Sequence, residues 1–414
     1  MLLRPRISDD QRHLALPDGS PFFWLGDTAW ELFHRLSMEE AEHYLRTRAG
    51  QGFNVIQAVA LAELDGIRTP NYYGDLPLVD QDPTRLNEPY WRHIDEVVDL
   101  AAELGLYVAL LPTWGDKINR TVWGAGPLIF DKANAREFGR LVAQRYGGRD
   151  NVIWVNGGDR DPGEFKSTWR ALAAGLREGD DSAGHLMTFH PCGEQSSADH
   201  FHDEKWLDMN MLQTGHGARD LDFVAEMTRK TYRRTPTKPV LDGEPRYENH
   251  PIGFDMRRGY YDDGDARQAA YAGVFCGGCG VTYGCHAIWQ FAGDRHDPVN
   301  NPISHWRYSL GLPGAGQMRH LKELMLSLPF LRLAPFQVGS PFKFGLATAE
   351  GDAAAVYFAE PGTLEVAGLP SGSAEWFDPT TGHRRFAEPD AEGMFHTPDR
   401  GGRIQDWVLL IAAR

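Results

Sequence analysis

Residues 151–159 read Asn-Val-Ile-Trp-Val-Asn-Gly-Gly-Asp, and this stretch decides the fold. Val-Ile-Trp-Val is an unbroken apolar run of strand length, the pattern of a strand buried on both faces. Asn-Gly-Gly ends the regular backbone, and Asp159 stands where the chain leaves the strand. A helix-patterned run, 135–147 (AREFGRLVAQRYG), comes directly before it. Helices alternating with such strands are the rhythm of a parallel sheet with helices outside it.

Working outward, the unit recurs. Strands are expected at 22–28, 53–60, 107–114, 151–159, 186–191, 208–216, 239–245 and 280–291. Between the first two lies 37–52, with Ser37 as cap, an acidic first turn and glycine at the far end. The run 88–105 has apolar residues at helical spacing, and 317–328 supplies a last helix to close the ring. The expectation is an α/β fold, a (β/α)8 TIM barrel over residues 1–328. After about Leu331 the texture changes to short strand-like runs parted by Gly, Pro and Asp, ending in DWVLLIAA at 406–413. Residues 329–414 are therefore expected to form a small antiparallel β-sandwich domain.

Composition narrows the partners. A formal net charge of -15 repels phosphate backbones and argues against nucleic acid. No window approaches the ~20 apolar residues of a membrane span. The opening MLLRPRISDDQRH lacks the apolar core of a signal peptide, so a cytoplasmic protein is expected unless a leader was trimmed. Oligomeric state is left open. Cys276-x-x-Cys279 invites a zinc or redox reading, but a second such pair is missing, and reduced buried thiols are expected for Cys192, Cys276, Cys279 and Cys285. No Gly-rich phosphate loop is present, and no cofactor is expected.

Barrel enzymes carry their active sites at the C-terminal ends of the strands. The polar and aromatic residues at those ends are Asp27 and Trp30; Gln57 and Glu63; Trp114, Asp116 and Lys117; Asn156 and Asp159; His190; Gln213 and His216; Glu244 and Arg246; and Trp289 and Gln290. Carboxylates, Trp, Gln and His converging on one mouth make up a carbohydrate site, so a carbohydrate substrate is the expected partner. Asp159 and Glu244, after strands four and seven, are expected on opposite sides of the mouth. Glycoside cleavage needs such a pair, one carboxylic acid to protonate the leaving oxygen and one carboxylate to attack or to activate water. Spacing alone leaves retention and inversion both open.

Blander readings stand beside these. Asp159 could cap a helix, and Glu244 could pair with Arg246 or Lys117. His190, His200, His202, Asp203 and His216 could form the metal site of a metal-dependent barrel hydrolase. His200-x-His202 lies in SADHFHDE, a segment of surface character. A third reading is a carbohydrate-binding protein without catalysis.

The motifs Leu25-Gly-Asp-Thr-Ala-Trp30, Gly52-Phe-Asn-Val-Ile-Gln57, Val155-Asn-Gly-Gly-Asp159, Asp242-Gly-Glu-Pro245 and Ile288-Trp-Gln-Phe291 occur in order over nearly 270 residues. In these the chain resembles the apiosidase-like glycoside hydrolases, family 140, within the large clan of retaining barrel enzymes. Trp376-Phe-Asp-Pro-x-Thr-Gly382 looks like the small β-sandwich that accompanies the family, sometimes labelled collagen-binding, though nothing in these residues supports collagen binding. The resemblance implies a retaining double displacement, with Asp159 as acid/base and Glu244 as nucleophile. Asn-Gly-Gly-Asp departs from the clan's usual Asn-Glu but fits this family. Characterised relatives release apiose-linked units from a plant cell-wall pectin. A chain without a leader would instead meet short imported oligosaccharides or plant glycosides.

Overall fold

The computed structural model describes residues 2–119, 123–180, 184–339, 342–365 and 372–413. Among these, eight parallel strands build one barrel: β1 (Trp24–Thr28), β2 (Val55–Leu61), β3 (Tyr107–Thr113), β4 (Val152–Gly157), β5 (Met187–His190), β6 (Asn210–Gln213), β7 (Val240–Asp242) and β8 (Gly278–Tyr283). The order is β5-β4-β3-β2-β1-β8-β7-β6. The seam between β5 and β6 is closed by the Asp208 N–H to Met187 O (2.9 Å) and the Thr188 hydroxyl to Met209 O (2.8 Å). Helices α1 (Met38–Gly50), α2 (Glu88–Glu103), α3 (Lys132–Tyr146), α4 (Lys166–Gly179), α5 (Leu221–Tyr232), α6 (Asp263–Phe275) and α7 (Pro313–Ser327) surround it. Between β5 and β6 there is only a one-turn helix, Ala198–Phe201.

Every residue of β2 and β3 is buried, so the sequence shows no polar alternation, yet the two faces are sorted. Val55, Val59, Tyr107, Ala109, Leu111, Ile153 and Val155 fill the barrel interior. Ile56, Ala58, Val108, Leu110, Val152 and Trp154 pack outward under the helices. Successive side chains of a strand point to opposite faces, so two dry cores share one continuous apolar run. A hairpin of short strands at Arg6–Ile7, Leu14–Ala15 and Pro21–Phe22 closes the N-terminal end, with Leu14 and Phe22 joining the interior core.

Two expectations are corrected. The eighth strand ends at Tyr283, and His286–Trp289 is a separate helical turn, so the expected strand 280–291 is half strand and half turn. The carboxylate-bearing strands β4 and β7 are three steps apart on the ring rather than four, with β5 and β6 between them. They face each other across that shorter arc.

The C-terminal region forms a six-stranded antiparallel sheet: β9 (Leu333–Phe336), β10 (Lys343–Thr348), β11 (Ala353–Phe358), β12 (Gly372–Phe377), β13 (Arg384–Ala387) and β14 (Trp407–Ala413), in the order β9-β10-β11-β14-β12-β13. A ribbon of Thr363–Glu365 and Met394–His396 makes the second layer of the sandwich, with Phe395 packed into its core. The other face of the sheet merges with the barrel's outer core through Tyr357, Val408 and Leu410. Arg267 on α6 crosses that seam to Asp406 with two bonds of 2.9 and 2.8 Å.

Asp27, expected at the mouth, belongs to the outer layer. It has the outward parity of Leu25, and its Oδ2 accepts from Tyr44 Oη and Arg48 Nε, each at 2.6 Å, on α1. Arg48 is fully buried and has no other carboxylate partner among the described residues. Replacing Asp27 by Ala leaves that guanidinium unpaired, which costs about 3–5 kcal/mol of stability. Urea unfolding should show this loss, while kcat of the protein that remains folded changes little.

Candidate active site

The loop after β4 explains how one carboxylate reaches the mouth. Gly157, Gly158 and Asp159 all have left-handed backbone, with φ of 92°, 117° and 49°. A Cβ at Gly157 would strike the His190 carbonyl, and one at Gly158 would lie 2.7 Å from the Trp114 ring. Two glycines are therefore required, and Asp is among the few residues that follow them into that conformation. Asp159 caps no helix: α4 begins at Lys166 without a side-chain cap.

Glu244 is placed by β6 and β7 together. Asp242 at the end of β7 accepts from the Thr214 hydroxyl (2.6 Å) and from the Glu244 N–H (3.3 Å). Gly243 N–H donates to Leu212 O, and Gly215 N–H to Glu244 O, both at 2.9 Å. From across the barrel, Gln57 Nε2 donates to Gly243 O at 2.9 Å. The peptide that presents Glu244 is thus held from three strands.

Both carboxylates open on a cavity of about 470 Å³. Of the expected site residues, Asp159, Glu244, Trp30, Glu63, Trp114, Gln213, His216 and Trp289 line it. Gln57 and His190 lie beneath the floor, fully buried. His190 packs edge-on to Trp30, with ring centroids 5.3 Å apart. Gln290 is a brace: its side chain bonds Val299 N–H and O at 2.8 and 3.0 Å and so fixes a wall segment.

Four expected residues turn away. Asp27 is accounted for above. Asn156 shares the outward parity of Trp154, and its Nδ2 lies 3.5 Å from Met187 Sδ. Lys117 is buried against Asp116 at 2.6 Å. Arg246 donates to Arg219 O at 2.5 Å and sits over the Tyr261 ring. Neither cation pairs with Glu244, so the salt-bridge reading of that residue fails.

Trp123, Tyr247, His250, Phe254 and Cys192 line the pocket without having been singled out. Tyr247 and His250 follow Glu244 within six residues, which was the available signal. Trp123 and Phe254 come from loops whose course no periodicity reveals.

The electrostatics separate the two carboxylates. Glu244 Oε1 lies 2.9 Å from His216 Nε2, and Oε2 lies 2.9 Å from His190 Nε2. Burial alone would raise Glu244, but these two imidazoles prevail and bring it down to about 2. Asp159 moves the other way. Burial is the largest cause, the Glu244 charge adds to it, and the Trp123, Arg160 and His190 contacts offset only part. Trp123 Nε1 donates to Asp159 Oδ2 at 2.8 Å, so a proton on this acid belongs on Oδ1. His190 Nδ1 lies 3.3 Å from the Asp159 N and 3.1 Å from Pro191 O, while its Nε2 faces Glu244.

The remaining histidines do not gather around an ion. His216 stacks on His250 at 4.2 Å, and His250 meets His286 at 4.4 Å. Burial and its two imidazole neighbours hold His250 far below the usual range, and burial brings His286 to about 4. His200 bonds Gln195 Oε1 at 2.8 Å, while His202 is buried against Asn210, correcting the surface reading of that segment. Among the described residues no group of three or more His, Cys, Asp or Glu is arranged to hold a metal ion. All four cysteines are free thiols, and Cys192 alone is not fully buried.

A solved structure described as a glycoside hydrolase is similar over 99% of this chain and 97% of its own, at 30% identity and a TM-score of 0.88. A glycoside hydrolase family 5 structure from Bacteroides vulgatus ATCC 8482 is 29% identical, with 99% and 94% covered and a TM-score of 0.87. A Streptomyces cattleya structure solved with Manβ1-4GlcNAc shares the fold alone, at 16% identity over 73% of this chain and 80% of its own, with a TM-score of 0.51. No curated protein matches. Barrel, pocket and these likenesses together define a glycoside hydrolase. Residues 8–332 match the family described as "Apiosidase-like, catalytic domain", and the chain belongs to that family.

The imidazole clamp has a pH signature. The ordinary value for Glu244 is 4.5, and the folded value is about 2. The folded state therefore binds this proton less readily than the unfolded one. The clamp's stabilisation is fully present above the ordinary value and lost as pH falls toward the folded one. The Glu244→Gln variant lacks it, so the stability advantage of wild type over variant should shrink by about 3 kcal/mol between about pH 5 and about pH 2. Chemical denaturation at a series of pH values measures this, and a constant difference would show that charge is not what holds Glu244.

Proposed function

We propose that the protein is a retaining, exo-acting glycosidase on short plant-derived glycosides, with apioside-like substrates the first to test. The observation that carries this is the divergence of two carboxylates in one pocket, Glu244 pushed down and Asp159 pushed up. Environments that drive two acids apart assign the roles of base and acid. Glu244, ionised and fixed at both oxygens, attacks the anomeric carbon. Asp159 passes its proton to the departing glycosidic oxygen, and that bond breaks as the glycosyl–Glu244 ester forms. Asp159, now ionised, takes a proton from water, whose oxygen displaces Glu244 and releases the sugar with its original configuration.

The apiosidase-like family supports the glycoside class, and the Trp-lined cavity suits a sugar ring. Glu244→Gln should lower kcat by at least about 10⁴-fold. Asp159→Ala should lose about 10²–10⁴-fold on poor leaving groups and far less on activated aryl glycosides, which need no acid. The measurements are steady-state kinetics on an aryl glycoside panel that includes apiosides and other furanosides, with NMR of the first-formed anomer. Near-normal turnover by Glu244→Gln refutes the assignment, and an inverted product refutes the double displacement. Because Asp159 must carry its proton, kcat/KM should fall on the alkaline side as that proton is lost. Glu244, at about 2, sets no acid limb in the ordinary range.

A further inference from the structure

Four carboxylates line the cavity, Glu63, Asp159, Glu194 and Glu244, and among the described residues no lysine or arginine does. Three of the four have protein partners. Glu244 has its two imidazoles, Asp159 has the Trp123 indole, and Glu194 is held by Arg219 at 2.6 and 2.9 Å. Glu63 stands apart. The residue is 2% exposed, and its Oε1 is buried without a hydrogen-bond partner. A buried polar atom in that state is costly and calls for a partner the protein does not provide.

The residue is not free to swing away. Asp65 N–H closes a tight turn onto Glu63 O at 2.9 Å, and Leu64 N–H donates to Glu31 Oε1 at 3.1 Å. Glu31 is itself locked to His34 at 2.7 Å. Lys117 is committed to Asp116 and reaches only the Glu63 backbone carbonyl, at 3.5 Å. The unpartnered Oε1 is thus carried on a held backbone in the pocket wall.

We propose that Glu63 reads a hydroxyl of the glycosyl unit held in this pocket, and that this unit is an uncharged sugar. The inference rests on the glycosidase reading above and names the substrate class for that site. Burial first, then the neighbouring acids Asp159, Glu31, Asp116 and Glu244, raise the Glu63 carboxyl well above the usual carboxylate range and keep it protonated. It therefore offers one O–H donor and one acceptor oxygen, which is what a sugar hydroxyl takes. A sugar carboxylate would enter among four carboxyl groups where, among the described residues, no guanidinium or ammonium lines the cavity to receive it. Arg160 does not line the cavity, and its two terminal nitrogens donate to the Asp159 and Trp123 carbonyls. His216 faces Glu244, and His250 is held neutral.

The test compares wild type, Glu63→Gln and Glu63→Ala, each checked for folding by thermal melting. The probes are p-nitrophenyl glycosides of neutral sugars, the matching uronides, and a monodeoxy series of the accepted glycoside. Wild type should turn over neutral members and reject uronides. One deoxy analogue should lose about 100-fold in kcat/KM with wild type and only a few-fold with Glu63→Ala. Glu63→Gln keeps the shape, an acceptor oxygen and a neutral donor group, so its kcat/KM on the parent should fall far less than that of Glu63→Ala. Equal deoxy penalties in wild type and Glu63→Ala, or preferred turnover of a uronide, overturn the inference and leave the glycosidase reading standing. Failure of wild type to hydrolyse any glycoside overturns both.

Discussion

A carboxylate buried at the mouth of an apolar barrel must find positive charge or take up a proton. Glu244 is met at each oxygen by an imidazole Nε2, 2.9 Å away. Asp159 receives an indole N–H and a more distant guanidinium, 3.7 Å away, and feels the negative charge of Glu244 besides. Everything distinctive about the site follows from that inequality. Two acids of nearly equal intrinsic strength are driven in opposite directions by what the neighbouring strands carry.

The neighbours are set by the order of the barrel. β5 and β6 stand between β4 and β7, and they deliver His190 and His216 between Asp159 and Glu244. His190 touches both sides, meeting the Asp159 N and facing Glu244 Oε2. Strand parity does the rest. Gln57 and Gln213 have inward parity and serve the pocket floor, whereas Asp27 and Asn156 have outward parity and serve the helix layer. The left-handed Gly157–Asp159 turn matters because it carries Asp159 beyond the strand end to the cavity.

This is also why the sequence was informative in some places and silent in others. Unbroken apolar runs betray strands that are buried twice over, so the barrel, the ends of its strands and the pair Asp159 and Glu244 could be picked out. The same runs hide parity, because no polar residue marks which face is which. Asp27 and Asn156 were therefore expected at the mouth although they point away from it. Strand β8 was drawn too long, since Cys285–Phe291 is as apolar as a strand but coils into a helical turn. Trp123 and Phe254 reach the pocket on irregular loops, whose course depends on packing between distant segments. The His216, His250 and His286 ladder joins three such segments and has no signature in any one of them.

The three imidazoles have a structural consequence beyond Glu244. His286 accepts the Trp289 indole N–H at Nδ1 (3.2 Å) and lies 2.9 Å from Asn300 O at Nε2, so it is neutral with its proton on Nε2. His250 donates from Nδ1 to Pro251 O at 2.8 Å and is neutral as well. The neutral His250 ring stacked on His216 leaves Glu244 as the charged partner of that histidine, and the ladder braces the His216 ring against it. The wall formed by Trp289, Val299 and Asn300 is tied to the same ladder. One chain of contacts, His216–His250–His286, therefore links the group beside Glu244 to the wall formed by Trp289 and Asn300.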